Sequence, residues 1–103
     1  MSRDQHALAE LFSHRWVRLP EEDTSEGAVY RPDDADLPLS RRPREQMELS
    51  ADGSARVFTP GPDDRLSTEA GRWTDDGSSI VVRAGSREVH ILRWSDDRLL
   101  VRR

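Results

Sequence analysis

Hydrophobic positions near the start of the chain recur at the spacing of a helix. Leu8, Leu11 and Phe12 stand at positions i, i+3 and i+4, which places them on one helical face. The preceding Ser2-Arg3-Asp4-Gln5 has the form of a capping box, a common helix start. We therefore predict a helix over about residues 3–12. It needs a larger body to pack against, because isolated helices under about 12–15 residues are marginal in water.

The rest of the chain favours short β-strands separated by turns. Two predicted short strands, 14–19 and 28–31, are each followed by a proline. From residue 45 onward, turn signals such as Asp-Gly and Gly-Ser recur every 8–12 residues or so. The strands predicted there are 45–49, 55–59, 66–73, 80–83, 89–94 and 99–101. Gly71 interrupts the alternation of its strand, and we expect a bulge or bend there, with Trp73 on the other phase.

These elements predict a mainly β fold. We expect an antiparallel up-and-down meander of about eight strands, closed or nearly closed as a small barrel, with one N-terminal helix. Residues 1–103 would form a single domain, with a long loop at 32–44 and the β-meander at 45–103. The pairing of the strands within 14–31 stays open because their alternation is poor, so a half-open roll is the alternative.

Composition narrows the classes of partner and compartment. The net charge of −4 argues against a nucleic-acid partner, and no apolar stretch approaches the roughly 18 residues of a membrane span. The absence of cysteine excludes disulfides and favours a cytoplasmic location. All 16 basic residues are arginine, and asparagine is also absent, which indicates a bacterial source with a GC-rich genome.

Gly71-Arg72-Trp73 has the Gly-x-Trp form found in lipocalin-like barrels. With the predicted helix and meander, the chain resembles a small bacterial lipocalin-like (calycin-like) protein. This resemblance implies a barrel that binds small apolar molecules.

Signals for catalysis or metal binding are weak. The three histidines, His6, His14 and His90, match no standard zinc spacing, so we predict neither a metal site nor a cofactor. By alternation, His90 should share a strand face with Trp94.

The acidic residues of 21–23, with Asp33, Asp34 and Asp36, could bind a hard cation such as calcium, but the EF-hand spacing is absent. A solvated acidic loop is the favoured explanation. No nucleophile elbow, phosphate-binding glycine loop or dinucleotide motif occurs, so an enzyme is the weaker hypothesis.

The favoured function is therefore a non-catalytic binding protein that holds a small, partly apolar ligand inside the barrel. Aromatic side chains would supply apolar contact, and arginines or a histidine would anchor a polar group. The candidate ligand-binding residues are Trp16, Tyr30, Arg31, Arg44, Trp73, His90 and Trp94.

Two other functions stay open. The charged 20–45 region could serve a protein–protein interaction module, since Arg41, Arg42 and Arg44 could grip an acidic partner. The same arginines could instead pair with the acidic loop that precedes them. A small barrel enzyme, of a cyclase-like kind, would need His90 beside a carboxylate in a cavity.

Overall fold

The computed structural model describes residues 5–12, 14–34, 37–38, 43–63 and 65–102. One helix, α1 (Gln5–Phe12), precedes the strands β1 (Arg15–Arg18), β2 (Ala28–Pro32), β3 (Gln46–Leu49), β4 (Ser54–Pro60), β5 (Leu66–Asp75), β6 (Ile80–Ala84), β7 (Arg87–Trp94) and β8 (Leu99–Val101). A single 3₁₀ turn, Pro20–Glu22, lies between β1 and β2. The predicted capping box and the Arg41-Arg42 pair fall outside the described residues.

All eight strands pair antiparallel into a closed barrel in the order β1-β2-β8-β7-β6-β5-β4-β3. Strands β3 to β8 form the predicted meander, each pairing with the next along the chain. The β1–β2 hairpin completes the barrel with its order reversed, because β2 pairs with β8 and β1 pairs with β3. The chain after β2 must therefore pass β1 before it enters β3. The predicted closed β-barrel with an N-terminal helix is confirmed.

Alternate residues of the strands point inward and fill the barrel with apolar side chains. The largest fully buried ones on strands are Trp16, Met47, Leu49, Ile80, Ile91 and Leu99. Helix α1 closes one end, which we call the helix end. There the indole Nε1 of Trp16 donates a 3.1 Å hydrogen bond to the carbonyl of Leu11, and Phe12 lies against the Trp73 ring at 5.5 Å.

Of the bulge or bend expected at Gly71, the bulge does not occur. Pairing runs without a register shift on both sides of β5, with Gly71 opposite Ala55 and Ala84. Glycine is needed there for a different reason, since a Cβ at this position would lie 2.0 Å from the Arg83 carbonyl oxygen. The residue thus permits close approach of β5 to β6.

The register shift occurs instead in β7, between Ile91 and Arg93. One extra residue on the bulged strand reverses the alternation beyond it. Trp94 consequently pairs with Leu99, whose side chain is in the core, whereas His90 pairs with Val81 on the outer surface. The expectation that His90 and Trp94 share a strand face is therefore wrong.

Candidate functional site

The residues expected to bind ligand do not converge on one site. Trp16 and Tyr30 belong to the barrel core, and Trp73 and Trp94 pack against it from its margins. The polar candidates Arg31, Arg44 and His90, in contrast, lie outside the core. The two apolar residues deepest in the barrel, Trp16 and Tyr30, are packed among other core side chains.

Arg31 and Arg44 are both engaged with the acidic run Glu21-Glu22-Asp23. Arg44 binds both oxygens of Glu21 at 2.9 and 3.0 Å, and Arg31 binds Glu22 at 2.8 and 3.3 Å. The hydrogen bonds from these arginines hold the pKa values of the Glu21 and Glu22 carboxyls below their usual range. The acidic run is thus an anchoring point, where a solvated loop had been expected.

The third carboxylate of this run, Asp23, completes the pattern. Its two oxygens accept bonds from Arg18 at 2.5 and 2.6 Å, and one also accepts the Val29 backbone N–H at 3.0 Å. The bond to Asp23 raises the pKa of Arg18. Three consecutive carboxylates therefore tie three arginines from β1, β2 and the segment before β3, and we call this set the acidic anchor.

Polar groups also close the barrel end opposite α1. Arg18 and Tyr30 are a cross-strand pair, with the guanidinium 5.8 Å from the phenol ring centre. Nearby, Glu45 forms an ion pair with Arg87. Burial, reinforced by the Glu45 charge, raises the pKa of the Tyr30 hydroxyl far above its usual range. The phenol therefore stays protonated at physiological pH, which disfavours a role as a general base.

His90 lies on the outer surface of β7. Its Nε2 is 2.7 Å from the Glu88 carboxylate, and this contact is the main cause of the lowered pKa of Glu88. His90 is therefore a surface ion-pairing residue in this fold.

A concave site does occur elsewhere, on the outer surface of the barrel across β2, β8 and β7. This outer groove encloses about 280 Å³. Its lining residues are Thr24, Glu26, Val29, Arg93, Trp94, Ser95, Arg98 and Leu100. Trp94 is the one residue among those predicted for ligand binding that lines it.

The floor of the outer groove is apolar. Val29 and Leu100 are directly opposed on β2 and β8, and both are largely buried. The bulge in β7 places Arg93 opposite Leu100, on the outer face. Trp94 packs against the barrel core and lines the groove at its margin. Without the extra residue, Arg93 and Trp94 would each point to the opposite face of β7.

Charged groups form the rim of the outer groove. Arg93 is ion-paired with Glu26 across it. Arg98, in the turn between β7 and β8, is exposed, and its backbone carbonyl accepts the Ser95 N–H at 2.9 Å. Its guanidinium makes no hydrogen bond or ion pair with the residues that the structure describes, although its charge contributes to the lowered pKa of Glu22. A guanidinium has five donors arranged to bind a carboxylate or phosphate in bidentate fashion. An uncommitted arginine beside an apolar floor is suited to an amphipathic anion.

Sequence reasoning missed Arg93, Arg98, Glu26 and Thr24 as groove residues. The β2–β8 pairing brings together positions about 70 residues apart, and the sequence carries no sign of it. The one available signal was the arginine of the Ser95-Asp96-Asp97-Arg98 turn.

A second group of polar side chains lies at the helix end. One ligand-type atom each from His14, Asp33 and Asp34 falls within 4.8 Å of the other two. This grouping is of a kind that can hold a metal ion, and the histidine spacing had predicted none.

Comparisons with known proteins yield no relative. No protein-family model matches the chain, and no curated protein and no solved structure matches it. Among the described residues, no helix is both long and apolar enough to cross a membrane.

Proposed function

We propose that the protein is a non-catalytic binding protein for a small, partly apolar anion, and that the outer groove is its binding site. The observation that carries the proposal is the combination of an apolar floor with the uncommitted guanidinium of Arg98. A volume of about 280 Å³ is near the lower end of the range for small-molecule sites, about 300–1,000 Å³, so the ligand would be small.

The chemistry of the groove defines the class of ligand. Val29, Leu100 and Trp94 offer apolar contact, which favours a short hydrocarbon or aromatic body. Arg98 offers paired N–H donors, which favour a carboxylate. Ser95 and Thr24 add hydroxyl groups that can donate to or accept from polar substituents.

The groove is a better candidate than the barrel interior. Trp16 and Tyr30, the proposed interior contacts, are almost completely buried among core side chains. A ligand between them would have to displace tightly packed neighbours, which costs free energy. Binding at the outer groove displaces only water from a surface that is already formed.

Charge pairing also weakens the case for a protein-interaction module at residues 20–45. The acidic anchor binds Arg18, Arg31 and Arg44 within the chain, so these charges are already satisfied. A charged partner would have to break such pairs before forming its own.

The proposal also includes a family relationship and a cellular location. A lipocalin-like relationship is supported by the closed eight-stranded barrel, although the reversed β1–β2 order departs from a simple meander. A cytoplasmic location in a bacterium is supported by the absence of cysteine and the all-arginine composition.

The three tryptophans provide a direct test, since their indole N–H groups report on different places. Octanoate would be titrated into ¹⁵N-labelled protein, with octan-1-ol as the neutral analogue. We expect octanoate to shift the Trp94 indole signal and to leave that of Trp16, which is bonded to Leu11 inside the barrel, unchanged. A shift confined to Trp16 would instead place the ligand in the interior.

A matched pair of variants tests whether Arg98 binds the carboxylate of the ligand. Arg98→Gln should weaken octanoate binding about tenfold, the equivalent of roughly 1.4 kcal/mol for one lost charged hydrogen-bonding group. Arg102→Gln, at an exposed arginine outside the groove, should leave the affinity unchanged. Equal affinities for both variants, or equal binding of octan-1-ol and octanoate by the wild type, would contradict the role of Arg98.

A further inference from the structure

We propose that His14, Asp33 and Asp34 form a binding site for a transition-metal dication such as Zn²⁺. The site lies at the helix end of the barrel, separate from the outer groove. An imidazole nitrogen together with two carboxylates is a ligand set typical of zinc and related first-row metals. The proposal is independent of the function proposed for the groove.

Backbone pairing brings the three residues together. Trp16 is opposite Pro32 in the β1–β2 ladder, and the Asp33 N–H continues that ladder with a 2.8 Å bond to the Arg15 carbonyl. His14 lies just before β1 and Asp34 lies two residues after β2, so both are next to this last bond. The site thus forms where the start of β1 meets the end of β2, and it rests on the hydrogen bonds of the barrel.

The separation of the donor atoms suits a shared ion. His14 Nδ1 is 3.6 Å from Asp34 Oδ1, which is longer than a normal hydrogen bond. Two ligands each about 2.1 Å from one metal ion are about 3.0–3.4 Å apart in octahedral or tetrahedral geometry. A small closing movement would therefore place both atoms on one ion, with Asp33 as the third ligand.

The histidine ring is held in place by its surroundings. It meets the Trp16 ring edge-on, with 5.6 Å between ring centres and 81° between planes. Trp16 is itself fixed by its buried hydrogen bond to Leu11. This support reduces the conformational entropy that the imidazole would lose on binding a metal.

The charges around the site favour a cation. Within the described part of the chain, neither Asp33 nor Asp34 is paired with an arginine. The adjacent Arg15 is engaged elsewhere, because its guanidinium is bound to Glu48 at 3.4 Å and lies 4.3 Å from the centre of the Phe58 ring. The two carboxylates are exposed, so an ion would reach them directly and retain water in its other positions.

The test is isothermal titration of the intact protein with ZnCl₂ in a non-coordinating buffer. We expect saturable binding of one Zn²⁺. His14→Phe removes the ligand and keeps an aromatic ring against Trp16, and it should weaken binding by about 100-fold or more, since loss of mere outer-shell partners already costs about 10–100-fold. Asp34→Asn, nearly identical in shape, should also weaken binding strongly.

His90→Phe is the matched control, because His90 is also a surface histidine beside one carboxylate but belongs to no three-ligand group among the described residues. It should bind Zn²⁺ as the wild type does, and circular dichroism would verify the fold of each variant. The proposal is overturned if folded His14→Phe and Asp34→Asn keep wild-type affinity, or if the wild type shows no saturable binding. Binding of Ca²⁺ as tight as that of Zn²⁺ would also contradict it, because calcium prefers oxygen ligands.

Discussion

The β1–β2 hairpin and the meander β3–β8 belong to one barrel but are held by different means. In the meander, consecutive strands pair through tight turns, three of them built on glycines with positive φ, namely Gly53, Gly77 and Gly85. The hairpin is separated from its neighbours in sequence, and three consecutive carboxylates between its strands bind one arginine of β1, one of β2 and one before β3. Ion pairs occur in the meander too, but the Arg83–Glu88 pair is largely exposed.

This difference shows where specific contacts are needed. Short turns bring neighbouring strands together at little cost in loop-closure entropy, so alternation and turn residues suffice in the meander. Placing the hairpin between β8 and β3 costs more chain entropy than closing a short turn, because it pairs strands that are far apart in the sequence. The Glu21–Arg44 pair of the acidic anchor, which reaches the segment before β3, and the Trp16–Leu11 hydrogen bond supply contacts that specify that position.

The largest expected effect is the loss of Trp16, which joins the hairpin to both the core and the helix. Trp16→Ala should destabilise the protein by about 3–5 kcal/mol, because it leaves a cavity and removes the bond to Leu11. Trp73→Ala, which truncates a half-buried tryptophan of the meander, should cost less. Urea unfolding followed by circular dichroism measures both, and equal losses would remove the proposed distinction between the regions.

A smaller effect is expected from Asp23→Ala. The side chains of Asp23 and Arg18 are only 16% and 20% exposed, so removal of the carboxylate leaves a guanidinium and a backbone N–H short of partners. We expect a loss of about 2 kcal/mol. Arg83→Ala breaks the exposed meander pair and should leave the urea midpoint nearly unchanged. A larger effect for Arg83→Ala than for Asp23→Ala would reverse the comparison.

The smallest expected effect is on the pH dependence of stability. The pKa values of Glu21 and Glu22 lie below the usual 4.5, so both carboxylates favour the folded state when ionised. Their contribution is complete above the unfolded-state pKa and is lost as pH falls through the lowered folded-state values.

The double variant Glu21→Gln/Glu22→Gln should therefore lose less stability on acidification than the wild type does. Urea midpoints measured at neutral pH and at about pH 3 test this difference. Some acid sensitivity will persist, because turn hydrogen bonds also lower the pKa values of Asp52 and Asp76 in the meander. If the double variant lost as much stability as the wild type between the two pH values, the ion pairs of Glu21 and Glu22 would contribute nothing to the pH dependence.

Much of the secondary structure could be predicted, whereas little of the candidate sites could. The predicted strand ends lie close to the observed ones, because proline, Asp-Gly and Gly-Ser end a strand through their own backbone conformations. The β7 bulge was missed because the segment Val89–Trp94 alternates acceptably in two phases, and only its pairing with Leu99 and Val101 selects one. That choice moved Trp94 away from His90 and created part of the outer groove.

The sequence by itself determined the helix, the strands, the turns and the barrel class, because each depends on residues near one another in the chain. The tertiary structure decided the reversed order of β1 and β2, the pairing of the acidic anchor, the outer groove and the grouping of His14 with Asp33 and Asp34. These features depend on which distant strands become neighbours. That choice is made by the summed burial and hydrogen bonding of the closed barrel, which no local pattern of residues records.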